Sequence, residues 1–249
     1  MQWLAILLTL AALCLPGLSR AVWAAEATVA AATNFVPVLH ALIAKFEAES
    51  GHGLKLVPGS TGKLYAQIRH GAPFDVFLAA DQERPRLLEA DGGAVAGSRF
   101  TYAEGRLVLI RAGGGPVDFA GLMDGGFRKL ALANPKLAPY GLAAEQALRH
   151  AGVWERVAAR LVYGENVGQA YTLVATGNAD AGMVALSQVM GVAPQPAFWP
   201  VPSEWHQPIR QDAVLVQRGE GNPAAEGFLA FLRSPPGREI IRDFGYGTP

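Results

Sequence analysis

Residues 28–50 read TVAAATNFVPVLHALIAKFEAES, and this stretch decides the fold class. Thr28–Ala32 is a short β-type run, and Thr33 and Asn34 after it are residue types that commonly cap helices. From Val36 to Ser50 the apolar residues follow the i, i+3, i+4, i+7 spacing of an amphipathic helix. The stretch therefore predicts a strand followed at once by a helix.

The same order of strand and helix recurs along the rest of the chain. The predicted strands are Thr28–Ala32, Leu54–Val57, Phe74–Ala79, Phe100–Tyr102, Arg106–Ile110, Leu130–Ala133, Arg160–Val162, Ala181–Val184 and Ala213–Val216. The predicted helices are Val36–Ser50, a segment from Ser60 to His70, Asp81–Ala90, Leu142–Ala151, Gln169–Thr176, Pro223–Leu232 and Gly237–Phe244. Strands that alternate with helices indicate an α/β protein with mainly parallel sheets.

The chain divides into two lobes that it crosses twice. Ala193–Pro208 reads APQPAFWPVPSEWHQP, which is too rich in proline for regular helix and predicts an extended crossing. We predict one lobe from residues 26–104 plus 209–249 and a second from residues 105–208. Crossings near Gly105 and Pro208 form a hinge, which favours closure of the lobes around a ligand in the cleft between them.

The N-terminus predicts export. The run Trp3–Leu15 is apolar, and small residues precede a cleavage site after Ala24 or Ala25, so residues 1–25 are typical of a secretory signal peptide. An N-terminal membrane anchor is the alternative interpretation. Cys14 is the only cysteine, so the mature chain has none, which excludes disulfides and thiol catalysis. We expect a periplasmic protein.

The balance of charge and the lack of catalytic motifs in the sequence argue against several classes of function. The 21 basic and 21 acidic residues balance, which disfavours nucleic acid or a membrane surface as a partner. The five histidines stand in no metal-binding or triad pattern, and no G-x-S-x-G elbow occurs. Asp75 and Asp81 flank one predicted strand and are the only acid–base candidates, which leaves a secreted hydrolase as an alternative.

Four short loops lie where a strand is followed by a helix. They read AAATN (30–34), GSTGK (59–63), LAPYG (137–141) and GENVGQ (164–169). Helix N-termini carry unpaired N–H groups and partial positive charge, so each loop suits an anion, although each could equally be an ordinary helix start. The GSTGK loop fails the phosphate-loop pattern, because that pattern requires Gly at Val57 and Ser or Thr at Leu64.

The chain resembles a known family in several longer motifs. These are GAPFDVFLAAD (71–81), ANPKLAPYG (133–141), ENVGQ (165–169), TGNADAGMVALSQ (176–188) and FLAFLRSPPGREIIRDFGYG (228–247). Together they resemble the periplasmic molybdate-binding proteins of molybdate ABC transporters. The resemblance implies a two-lobed type II binding-protein fold that catalyses nothing and needs no cofactor. It also implies a monomer that holds molybdate or tungstate between its lobes and delivers it to a membrane permease.

The resemblance also implies which residues bind the ion. They are Thr33, Asn34, Thr61, Tyr140 and Val167. All are neutral donors through side chain or backbone, and molybdenum enters only as the bound oxyanion with no direct protein ligand. Lys63 departs from this pattern, and we expect its side chain to point away from the ion. A receptor for another tetrahedral oxyanion, such as sulfate or phosphate, is the alternative within the same class.

Overall fold

The computed structural model describes residues 24–123 and 126–249. The predicted signal segment, apart from its last two residues, and Cys14 lie outside these ranges. Within them, no helix is both long enough and apolar enough to cross a membrane.

The first lobe is built on a five-stranded sheet. Its strands, in spatial order, are β2 (Gly53–Gly59), β1 (Glu26–Ala32), β3 (Val76–Leu78), β10 (Ile209–Leu215) and β4 (Phe100–Gly105). Strand β1 is parallel to β2 and to β3, whereas β10 is antiparallel to both β3 and β4.

The second lobe repeats this plan with another five-stranded sheet. Its strands, in spatial order, are β7 (Leu161–Gly164), β6 (Leu130–Ala133), β8 (Ala181–Ala185), β5 (Leu107–Arg111) and β9 (Phe198–Pro200). Strand β6 is parallel to β7 and β8, and β5 is antiparallel to β8 and β9. The predicted α/β architecture of two lobes is confirmed.

Both sheets are mixed. Four of the five strands in each run in the same direction, in line with the prediction, and one strand, β10 in the first sheet and β5 in the second, is antiparallel to its neighbours. The reason lies in the crossings. The parallel strands of each lobe end at the cleft, so a strand that enters from the other lobe begins at the cleft and runs the opposite way. Strands β5 and β10 are the two that follow a crossing.

Seven of the helices lie close to those predicted, with differences at the starts that matter for the cleft. Three short helices were not predicted: Phe119–Met123, Trp154–Val157 and Leu186–Met190. They are α1 (Val36–Ser50), α2 (Thr61–Arg69), α3 (Glu83–Ala90), α4 (Phe119–Met123), α5 (Pro139–His150), α6 (Trp154–Val157), α7 (Val167–Ala175), α8 (Leu186–Met190), α9 (Pro223–Arg233) and α10 (Pro235–Asp243). Helix α5 begins three residues before the predicted Leu142, because proline suits the first helical position. Helix α7 begins two residues before the predicted Gln169.

The apolar stripe of α1 fixes the end of β1 at the cleft. Leu39, Leu42 and Phe46 are buried against the first sheet and α9. The rings of Phe46 and Phe228 meet edge to face, with centroids 5.5 Å apart, an arrangement that aromatic pairs prefer. This packing anchors α1, and with it the loop that joins β1 to α1.

The two crossings lie side by side. The chain leaves β4 for β5 at Arg106 and returns through residues 201–208 to β10. Gly105 pairs with Ile209 at the edge of the first sheet, and the Val201 N–H donates to the Leu107 carbonyl at 3.0 Å beside the second. The lobes are thus joined by two adjacent connecting segments.

Candidate anion-binding site

All four loops meet around one cavity between the lobes. All five residues singled out from the sequence line it: Thr33, Asn34, Thr61, Tyr140 and Val167. The cavity is small, with a volume of about 10 Å³, close to the least that holds one water molecule. Ordinary small-molecule pockets are far larger, at roughly 300–1,000 Å³.

The surroundings of the cavity are polar but uncharged. None of the residues that line it is acidic or basic. The backbone N–H groups of Thr61, Tyr140 and Val167 lie in the first turns of α2, α5 and α7, where a helix offers them no acceptor. Three helix N-termini therefore supply donors and partial positive charge without a cation.

The two threonine hydroxyls each accept one backbone hydrogen bond. Thr33 Oγ1 accepts from the Gly168 N–H at 3.1 Å, and Thr61 Oγ1 accepts from the Ala80 N–H at 3.0 Å. Because one lone pair of each oxygen is engaged, the hydroxyl proton of each remains available to a ligand. Each side chain is thus oriented as a donor at the edge of the cavity.

Thr33 and Asn34 do not cap α1 as their residue types suggest, and Ser60, although it stands at the N-cap position of α2, makes no side-chain capping bond. Thr33–Phe35 instead forms a single 3₁₀ turn ahead of α1, and the polar side chains on these loops contact other elements or face the cavity. The fourth loop differs, because Asn166 Oδ1 accepts from the Gln169 N–H at 2.9 Å and caps α7.

Asn34 and Tyr140 belong to a buried hydrogen-bond network behind the cavity. Asn34 Nδ2 donates to Gln211 Oε1 at 2.8 Å and to the Tyr246 hydroxyl at 2.9 Å. Gln211 Nε2 donates to the Tyr140 hydroxyl at 3.3 Å, across the two lobes. Burial, with Tyr246 nearby, raises the pKa of Tyr140 well above its usual value, so this phenol stays neutral.

Two buried polar atoms of this site have no hydrogen-bond partner. Within the described ranges, Ser60 Oγ and Asn34 Oδ1 are the buried side-chain oxygens or nitrogens left unpaired, and both residues line the cavity. An unpaired buried polar group costs about 1–3 kcal/mol, so its presence points to a missing partner. The Ser60 hydroxyl can donate to an anion or a water, whereas Asn34 Oδ1 only accepts and therefore needs a water or another donor. Sequence reasoning missed Ser60, although a second hydroxyl directly before Thr61 was a signal.

Lys63 lies outside the cavity, as expected. Its Nζ contacts Glu165 Oε2 at 3.2 Å, and both side chains are about half exposed. This ion pair joins α2 of the first lobe to the fourth loop on the second. Beside it, the Gly62 N–H donates to the Leu137 carbonyl at 2.9 Å. These contacts join the two lobes close to the residues that line the cavity.

Asp75 and Asp81 form no acid–base pair. Asp75 accepts from the Thr28 N–H at 2.7 Å and pairs with Arg218 at 2.6 Å. Asp81 pairs with Arg84, and burial raises the pKa of its carboxyl. The two aspartates lie at opposite ends of β3 and neither lines the cavity, so their partners assign them to the structure of the first lobe.

The protein has two α/β lobes joined by two crossings, and an uncharged cavity lies between them where helix N-termini meet. This arrangement is that of a solute-binding receptor. The family model for bacterial extracellular solute-binding proteins matches residues 27–247, and the chain belongs to this family. It is therefore a solute-binding protein and not an enzyme, as the sequence indicated.

Comparisons with individual proteins show which members of the family this chain resembles. The chain is 47% identical to the molybdate-binding protein ModA of Azotobacter vinelandii, over 92% of this chain and 93% of that protein. It is 43% identical to ModA of Rhodobacter capsulatus, over 93% and 92% of the two chains. Among solved structures, the Azotobacter vinelandii periplasmic molybdate-binding protein superposes with a TM-score of 0.86 at 41% identity, over 90% of this chain and 100% of that one.

Proposed function

We propose that this protein is a periplasmic receptor that binds molybdate, and also tungstate, and delivers the ion to the membrane permease of an ABC transporter. The observation that carries the proposal is the small cavity between the lobes, lined by uncharged residues from four loops. The names and the high identity of its relatives support molybdate as the ion.

A neutral donor site fits a fully deprotonated tetrahedral dianion. Such an ion only accepts hydrogen bonds, so N–H and O–H groups satisfy it on every side. Helix N-termini supply positive potential, and no charge has to be buried beside it. Sulfate presents the same pattern of acceptors in a smaller volume, so discrimination against it depends on the size of the closed cavity.

Each predicted residue has a role in this proposal. The hydroxyls of Thr33 and Thr61 donate to the ion, and the first-turn N–H groups of Thr61, Tyr140 and Val167 donate from the helix starts. Asn34 donates to the ion through its backbone N–H, because both protons of its side-chain amide go to Gln211 and Tyr246. Molybdenum makes no direct bond to the protein, and no cofactor takes part.

The proposal includes how the receptor is organised and where it works. We assign residues 26–104 and 209–249 to the first lobe and residues 105–208 to the second. The membership of the two sheets supports this assignment except at Gly105, which is the last residue of β4 in the first sheet. Opening at the paired crossings admits the ion, and closure forms the contacts between the lobes. The receptor acts as a monomer after cleavage of residues 1–25.

Calorimetric titration of the mature protein tests the proposal. Molybdate, tungstate, sulfate and phosphate are titrated separately at equal ionic strength. We expect tight binding of the first two and little or none of the others. Preference for sulfate or phosphate would show that the receptor serves another oxyanion. Binding of none of the four anions would reject the proposed class of ligand.

A further inference from the structure

Ser60 is at the N-cap of α2 but caps nothing. Its backbone is extended, with φ −75° and ψ 146°, as N-cap residues commonly are. Asn222 and Ser234 at the starts of α9 and α10 accept first-turn N–H groups through their side chains. The Ser60 hydroxyl makes no such bond, so the usual reason for a serine at this position does not apply.

The Ser60 hydroxyl is also buried with nothing to bond. The residue is 2% exposed, lines the cavity and has no partner for Oγ. The other hydroxyls around the cavity, on Thr33, Thr61 and Tyr140, each accept a hydrogen bond from the protein. Among these lining hydroxyls, that of Ser60 is the one wholly unengaged group.

We propose that Ser60 Oγ donates a hydrogen bond directly to the bound oxyanion. Ser60 and Thr61 then present two adjacent hydroxyls at the positive end of α2, together with the Thr61 N–H. The bond would satisfy a group that the protein leaves unpaired, so its full strength is gained on binding. This inference rests on the proposed function, and it adds a ligand that neither the sequence motifs nor the relatives' names supply.

The variant Ser60→Ala, with Ser234→Ala as matched control, tests the inference. Hydrogen bonds to charged groups are among the stronger ones, so we expect Ser60→Ala to weaken molybdate binding about 10- to 100-fold. Without ligand, its unfolding temperature should be unchanged or higher, because an unpaired buried hydroxyl is removed. Ser234→Ala should do the reverse, lowering the unfolding temperature and leaving the affinity unchanged.

The outcomes separate the two proposals. If wild type binds molybdate and Ser60→Ala binds it within about twofold, Ser60 is not a ligand and only this inference is overturned. A fall in the unliganded unfolding temperature with affinity retained would likewise assign Ser60 to the structure of α2. If wild type binds none of the tested anions, the proposed function fails and the inference fails with it.

Discussion

The Thr33 hydroxyl accepts a hydrogen bond of 3.1 Å from the backbone N–H of Gly168, which joins the end of β1 in the first lobe to α7 in the second. This bond crosses the cleft at the edge of the cavity. Because the Thr33 oxygen is the acceptor, its hydroxyl proton points away from Gly168 and stays available to a ligand. The same side chain thus links the two lobes and lines the cavity.

Replacing Thr33 by valine should weaken molybdate binding by about 2–4 kcal/mol, because both the donor to the ion and the acceptor for Gly168 are lost. The conservative variant Thr33→Ser keeps the hydroxyl and should bind within about fivefold of wild type. Calorimetric titration of both variants checks this. Equal affinity of Thr33→Val and wild type would remove Thr33 from the site.

Thr61→Val should have a second effect that Thr33→Val lacks. The Ala80 N–H, which donates to Thr61 Oγ1 within the first lobe, loses its acceptor whether or not a ligand is bound. We expect about 1–3 kcal/mol less stability in denaturant unfolding of the unliganded protein, together with weaker binding. A loss of stability with unchanged affinity would reduce Thr61 to a structural residue.

Removing the charge of Lys63 should leave binding nearly intact. Its pair with Glu165 is about half exposed, and such pairs contribute about 0–1 kcal/mol. We expect Lys63→Met to bind molybdate within about fivefold of wild type, with little change as salt is raised. A loss of about a hundredfold would show that the lysine contacts the ion and that the site is not neutral.

Gly105→Ala should hinder closure without unfolding either lobe. A Cβ at this position would overlap the Tyr140 hydroxyl and lie 2.7 Å from Gln211 Nε2, between the two lobes at a crossing. We expect affinity to fall at least about tenfold while circular dichroism stays unchanged. Gly115→Ala is the matched control, because its Cβ meets nothing within 4 Å. Equal effects of both variants would argue against a hinge contact.

Alkaline solution should destabilise the protein through its buried tyrosines. Burial raises the pKa of Tyr246 from 10.0 to about 12 and raises those of Tyr102 and Tyr140 well above the usual value. The folded state therefore keeps protons that the unfolded chain releases from about pH 10. Stability is fully present below that pH and is lost as pH rises towards 12. Denaturant unfolding across this range, with Tyr246→Phe for comparison, should show a shallower loss in the variant.

Local patterns were sufficient to predict most of the fold. The apolar period of residues 36–50 gave α1 its observed bounds, and the four loops at strand ends were found because small and hydroxyl residues followed apolar runs. The direction of the two antiparallel strands was not predictable in this way. The direction of β5 and β10 depends on where the chain crosses between the lobes. The periodicity of apolar residues within one segment gives no information about such crossings.

The site was predictable in its loops but not in its internal bonds. Asn34 has a cap-like sequence position, yet its amide bonds to Gln211 and Tyr246, which are 177 and 212 residues away in the chain. Ser60 and Thr61 are adjacent and chemically similar, but only Thr61 finds an N–H partner, from the end of β3. Such differences arise from tertiary packing, so the spacing of residues along the sequence does not predict them.

The absence of charge around the cavity has an electrical consequence. Because the lining contains no carboxylate, imidazole, lysine or arginine that could gain or lose a proton on binding, the whole charge of the cargo is added to that of the carrier. The 21 basic and 21 acidic residues of the chain nearly cancel, so a dianion is a large fractional change. Loaded and empty molecules should therefore migrate differently in an electric field.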